Sequence, residues 1–199
     1  MHPSDLATSY DTIAHQWLEP HLARNGIRQH EHALKFREGG GLALDVGCGC
    51  SGRFIDLLTN HGYQVEGLDV SAQMIALART RHPDTAFHHA DICTWQPNQK
   101  YDFITAWDSI WHVPLAHHED VLKKLCAALA PSGLFIWTTG GLDAPEEKQD
   151  SSMGPPVHYS ALGIPRTLQV ITEAGCICRH LEYDQLPEKH LFIIAQKPS

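Results

Sequence analysis

The sequence predicts an α/β fold, a doubly wound seven-stranded sheet that is mostly parallel and closes with a C-terminal antiparallel hairpin. From residue 42 onward, short β-rich runs alternate with amphipathic stretches of helical period, the pattern of strands joined by crossover helices. The first of these strands runs into VGCGCSG, a glycine-rich turn that opens a helix. The last two strands are joined by QLPEK alone, too short for the crossover that a parallel pair needs, so they must be antiparallel neighbours.

Taken in order, residues 1–41 read as helical cover, with Tyr10, Ala14 and Trp17 at the spacing of one helix face. Strands are predicted at LALDV (42–46), QVEGLD (64–69), TAFHHA (85–90), YDFITAW (101–107), LFIWTT (134–139), CICRHLEYD (176–184) and HLFIIAQK (190–197). Helices fill the gaps at 52–61, at 71–81 with Ser71 as N-cap, and at 117–129, where Val121, Leu122, Leu125, Ala128 and Leu129 make an apolar stripe. A further helix is expected from Pro165 to Ala174, with Pro in its first turn and Gly175 just past its end. Residues 140–163, polar and rich in Gly and Pro, read as a long loop, either disordered or a lid on the substrate side.

At 199 residues and 43% hydrophobic, the chain is expected to form one domain over 1–199 with a core of its own. Asp+Glu 23 against Lys+Arg 15 leaves a formal charge of -8, which argues against nucleic acid and anionic membrane surfaces as partners. No apolar run approaches about 18 residues and no signal-like segment opens the chain, so a cytoplasmic location is expected. The six cysteines read as reduced thiols. His30 with His32, His88 with His89, and His117 with His118 lack the i, i+4 spacing of a zinc helix and read as surface residues; no metal is expected.

Gly47, Gly49 and Gly52 satisfy G-x-G-x-x-G directly after a strand, where backbone N–H groups and the positive helix end can approach a ligand. Asp69 ends the second strand, placed to accept hydrogen bonds from a ribose diol, so a ligand containing adenosine is expected. Asp45, two residues before the glycine turn, bears on which one: a carboxylate there repels the pyrophosphate of a dinucleotide and attracts the ammonium of S-adenosylmethionine. Both aspartates would equally serve as strand-end caps, and Asp91 as a turn former. His112, just beyond the fourth strand, could accept a proton from an attacking nucleophile or merely line the pocket.

In its succession of motifs the chain resembles the class I S-adenosylmethionine-dependent methyltransferases, especially their small-molecule branch. LDVGCGCSG is similar to that family's first motif, VEGLDVSAQMIALAR to its second and HHADICTW to the segment that meets adenine. YDFITAWDSIWHV is similar to the segment beneath the methionine moiety, and LAPSGLFIWTT to the strand entry that follows it. Cys50 departs from the family, which more often has a small or acidic residue there.

The resemblance implies a Rossmann-like domain with a lid over 1–41, a cofactor-binding core over 42–139, a substrate-side loop over 140–163 and a closing helix and hairpin over 164–199. It implies a cofactor site at Asp45, Gly47, Cys48, Gly49, Gly52, Asp69, Val70, Met74, Asp91, Ile92 and Trp107. Tyr10, Trp17, Asp108 and Trp111 are then expected on the substrate side, with His112 as the catalytic candidate. The expected reaction moves a methyl group from S-adenosylmethionine to a small-molecule acceptor and releases S-adenosylhomocysteine. The acceptor and the oligomeric state are not specified by the sequence. A non-catalytic module that binds S-adenosylmethionine shares these features, and an NAD-dependent oxidoreductase shares the glycine spacing.

Overall fold

The computed structural model describes residues 3–18, 24–151 and 154–199. Seven strands form the main sheet: β1 (Gly41–Val46), β2 (Tyr63–Asp69), β3 (Ala86–His89), β4 (Tyr101–Ala106), β5 (Leu129–Gly140), β8 (Ile177–Tyr183) and β9 (His190–Gln196). Their order is β3-β2-β1-β4-β5-β9-β8, parallel except for β9, which is antiparallel to both of its neighbours. The predicted closing hairpin is therefore present, and the strand order reverses between β1 and β4, the place where open α/β sheets bind ligands.

Alternation along the strands explains the two faces. Ala43, Phe103, Leu134, Ile136 and Ile194 point to one side, where α2 (Ile27–Ala33), α3 (Arg53–Asn60) and α4 (Ala72–Arg81) pack. Leu44, Ile104, Phe135, Trp137 and Ile193 point to the other, covered by α5 (His118–Ala128) and α6 (Ile164–Glu173). Trp137 is 1% exposed and stacks on Phe135, so it belongs to the core. The predicted N-cap of α4 is observed, with Ser71 Oγ accepting from Met74 N at 3.1 Å.

The segment 140–163 is not a loop. It contains β6 (Glu146–Asp150) and β7 (Val157–Ala161), a separate antiparallel sheet. Val157, Ser160 and Ala161 are buried, whereas β6 is exposed along almost its whole length; EEKQD carries no alternation by which to read it as a strand.

The paired histidines are not all on the surface either. His30 is fully buried, with Nδ1 to Gly26 O at 2.7 Å, Nε2 to Thr105 Oγ1 at 2.7 Å, and its ring stacked on Phe54 at 3.9 Å, which fastens α2 to β4. His118 is buried against Ser160 Oγ at 2.8 Å. His117, next to it in sequence, is exposed.

Candidate functional site

A cleft opens at the carboxyl ends of β1, β2 and β4, lined by the glycine turn and by the segments that follow β2, β3 and β4. The β1–α3 turn supplies Gly47, Cys48 and Gly49 to its wall. Gly47 has φ 70°, and a Cβ there would collide with the side chain of Ser109, whose Oγ donates to Val46 O at 2.7 Å and ties the turn to the segment after β4. Gly52 does not line the cleft; it caps α3 at φ 70° beside the His82 imidazole.

From β2 come Asp69, Val70 and, one turn into α4, Met74. Asp69 Oδ2 accepts from Gly49 N and Oδ1 from Ser71 N, each at 2.9 Å. These bonds fix the carboxylate and the glycine turn to each other. Burial still raises its pKa, against the pull of those backbone donors. Asp91 and Ile92 line the cleft after β3. Their loop is held by Lys124, whose Nζ donates to the carbonyls of Ile92, Cys93 and Trp95 at 2.6, 3.1 and 2.8 Å.

The remaining end is formed by Trp107, Asp108 and His112 after β4, under Tyr10 and Trp17. The N-terminal segment is tied down by Asp11, whose Oδ1 accepts from Ser71 Oγ at 2.5 Å and Gln73 N at 3.1 Å at the start of α4. His112 Nδ1 donates to His158 O at 2.7 Å, which leaves Nε2 as acceptor for Trp111 Nε1–H at 3.0 Å and the Tyr10 hydroxyl at 2.7 Å. Burial lowers its pKa to about 4, so the ring is neutral in the physiological range. Trp111 is not on the wall and reaches the cleft only through His112.

Asp45 also stands behind the wall, 2% exposed. Burial pushes its carboxyl up to about 7 against the pull of Arg53. Sequence reasoning missed Arg53, which lines the cleft with Nε on Asn25 O and Nη1 on Ser51 Oγ, both at 2.9 Å. A cation in the first residue of a helix opposes the helix dipole, and that was the available signal. His190 was missed as well: its Nε2 meets Asp108 Oδ1 at 2.9 Å and its Nδ1 meets Asp184 Oδ1 at 2.5 Å.

The donor set decides which ligand fits. Asp69, Asp91 and Asp108 on the wall, with Asp45 behind it, face one guanidinium, that of Arg53. A diphosphate would meet an excess of carboxylates. A ligand with an ammonium, a sulfonium and one carboxylate meets complementary charge, and Val46, Leu68 and Ile92 offer an apolar slot for a base. S-adenosylmethionine fits this set.

A family model described as a methyltransferase domain matches residues 19–169. The chain is 32% identical over 161 residues to the trans-aconitate 2-methyltransferase of Escherichia coli strain 55989, an alignment over 75% of this chain and 63% of that protein. It is 34% identical over 95 residues to the dTDP-3-amino-3,6-dideoxy-alpha-D-glucopyranose N,N-dimethyltransferase of Streptomyces fradiae, over 47% of this chain and 37% of that one. The chain thus spans less than two thirds of either curated relative. In fold it is similar to the crystallised 1,6-didemethyltoxoflavin-N1-methyltransferase of Burkholderia thailandensis, with TM-score 0.74 and 16% identity over 98% of this chain and 88% of that chain.

Proposed function

Since this chain belongs to the class I S-adenosylmethionine-dependent methyltransferases, we propose that it transfers a methyl group from S-adenosylmethionine to a small-molecule acceptor. The observation that carries the reading is the charge of the cleft: among the described residues, several carboxylates and a single guanidinium are set around a glycine turn at the β1–β4 switch point. When bound, S-adenosylmethionine supplies an electrophilic methyl group on a cationic sulfur.

The chain's own residues bind and align. Asp69, fixed by Gly49 N and Ser71 N, has acceptor capacity left for the ribose hydroxyls. Asp91 and Ile92 border the base. Arg53 takes the amino-acid carboxylate, while Asp45 offsets the ammonium from behind the turn. Tyr10 and Trp17 close over the reacting end and exclude water.

His112 orients Tyr10 and is a positioning residue in this reading, not the base that its place in the sequence suggested. Transfer from a sulfonium is an in-line displacement, so alignment supplies much of the rate. Among the described residues no helix is long and apolar enough to cross a membrane, and the net charge of -8 disfavours nucleic acid as acceptor; both accord with a cytoplasmic enzyme acting on a small molecule.

The test is to incubate the chain with S-adenosylmethionine and a broad acceptor panel and to measure S-adenosylhomocysteine release and methylated product by mass spectrometry. Turnover supports the reading. Cofactor binding with no product across the panel would favour a non-catalytic module.

A further inference from the structure

The relatives named above leave open whether the acceptor is a carboxylate or a nitrogen compound, and the charges at the reacting end bear on this. Asp108 follows β4 at φ 51° and lines the cleft beside Tyr10 and His112. Its side chain is held from three sides: Asn25 Nδ2 donates to Oδ2 at 2.8 Å, His190 Nε2 to Oδ1 at 2.9 Å, and Thr138 Oγ1 lies 3.3 Å from Oδ1. Behind His190 stands Asp184, itself bound by Gln29 Nε2 at 2.6 Å. The cluster therefore sets two carboxylates against one imidazole, and only Asp108 faces the cleft.

Among the described residues Arg53 is the only Lys or Arg on the wall, and it is held at the glycine turn by Asn25 O and Ser51 Oγ. A carboxylate acceptor would meet an anion and no free cation. A hydroxyl acceptor would need its proton removed as it attacks, yet His112 Nε2 is already bound by two donors and burial makes the ring a poor base. An uncharged nitrogen needs neither, since its lone pair is available without loss of a proton.

We propose that the acceptor is an uncharged, weakly basic amine, with an N–H bound by the Asp108 carboxylate held between Asn25 and His190. This rests on the methyltransferase reading above. The nitrogen lone pair forms the N–C bond while the C–S bond breaks and its electron pair stays on sulfur. The unit positive charge moves from sulfur to nitrogen, beside Asp108, which stabilises it as it develops. One N–H proton then passes to the Asp108 carboxylate and on to water, leaving an uncharged N-methyl product and an uncharged thioether.

The test uses the full chain and two matched sets of probes. Aniline and 3-aminopyridine are titrated calorimetrically into the protein saturated with S-adenosylhomocysteine, against benzoate and nicotinate, and the amines are expected to bind at least about tenfold tighter. With S-adenosylmethionine, aniline is expected to give N-methylaniline, and benzoate and phenol to give no methylated product. Asp108→Asn is expected to lower amine turnover by about 10²-fold at saturating S-adenosylmethionine, with a cooperative urea unfolding transition reporting that it has folded.

Amines that do not bind this complex, carboxylates or phenol methylated as fast as the amines, or a D108N variant with unchanged turnover would overturn the inference. An absence of S-adenosylhomocysteine binding by the native chain would strike the methyltransferase reading itself, so the two failures are distinguishable. The wild-type comparison of acceptors needs no variant and stands if D108N does not fold.

Discussion

Replacing Asp45 by Asn should make the ligand-free protein more stable at neutral pH, the reverse of what removing a functional charge from a surface would do. The carboxyl is buried, and burial raises its pKa from 3.8 in the unfolded reference to about 7 in the native state. Below the lower value both states hold the proton and the group contributes nothing. Between the two values the unfolded chain is ionised while the native chain keeps its proton, so native stability falls as pH rises; above about 7 the cost is complete.

A gap of about three pKa units at about 1.4 kcal/mol each gives a ceiling near 4 kcal/mol, which relaxation and water entry reduce to about 2–4 kcal/mol. The assay is urea unfolding of both proteins at about pH 4.5 and about pH 8 without ligand, reading the change in their difference so that any constant effect of the amide cancels. The variant should gain on the wild type by that amount across the interval. Stability curves that run parallel in pH would refute the reasoning. Calorimetry supplies a second arm: a cation-bearing ligand near Asp45 should release a fraction of a proton on binding at about pH 7, and D45N should not.

Two other predictions concern histidines. Burial opposes protonation of His190, but Asp108 and Asp184 outweigh it and its native pKa lies above 6.5. The stabilisation is full below that unfolded value and is lost as pH rises through the native one, so His190→Gln should cost about 1–3 kcal/mol near pH 6 and progressively less at higher pH, as measured by urea unfolding. For His112, with a native pKa of about 4, the rate of the wild-type enzyme should show no inflection near 6.5 from this residue. His112→Ala should lower stability by about 1–3 kcal/mol by orphaning the Tyr10 hydroxyl and the Trp111 N–H. An inflection near 6.5 that disappears in H112A would show His112 to be the base after all.

Legibility in the sequence followed the range of the signal. Strands β1, β4, β5 and β9 each carry a run of buried, mostly apolar residues because both faces of the sheet are covered, β2 alternates over its first half, and Ser71, Gly175 and the short QLPEK link announce their structures locally. The glycine turn and Asp69 were readable for the same reason, being a few residues at a strand end. The β6–β7 hairpin was not, since β6 gains its conformation from pairing with β7 and buries almost nothing.

Contacts between distant residues left no trace at all. Asp108 and His190 are 82 residues apart, and nothing near either predicts that one holds the other. Asp45, expected at the end of β1 to attract the ligand's ammonium directly or through water, lies there buried and off the cleft wall, a depth that its position in the sequence does not reveal.

The most direct measurement is calorimetric titration of the full chain with S-adenosylhomocysteine and, in parallel, with NADH. The charge of the cleft predicts one-to-one binding of the thioether nucleoside, weakened in Asp69→Asn, and no heat from the dinucleotide. Binding of NADH with none of S-adenosylhomocysteine would contradict the assignment of this cleft and the chemistry built on it.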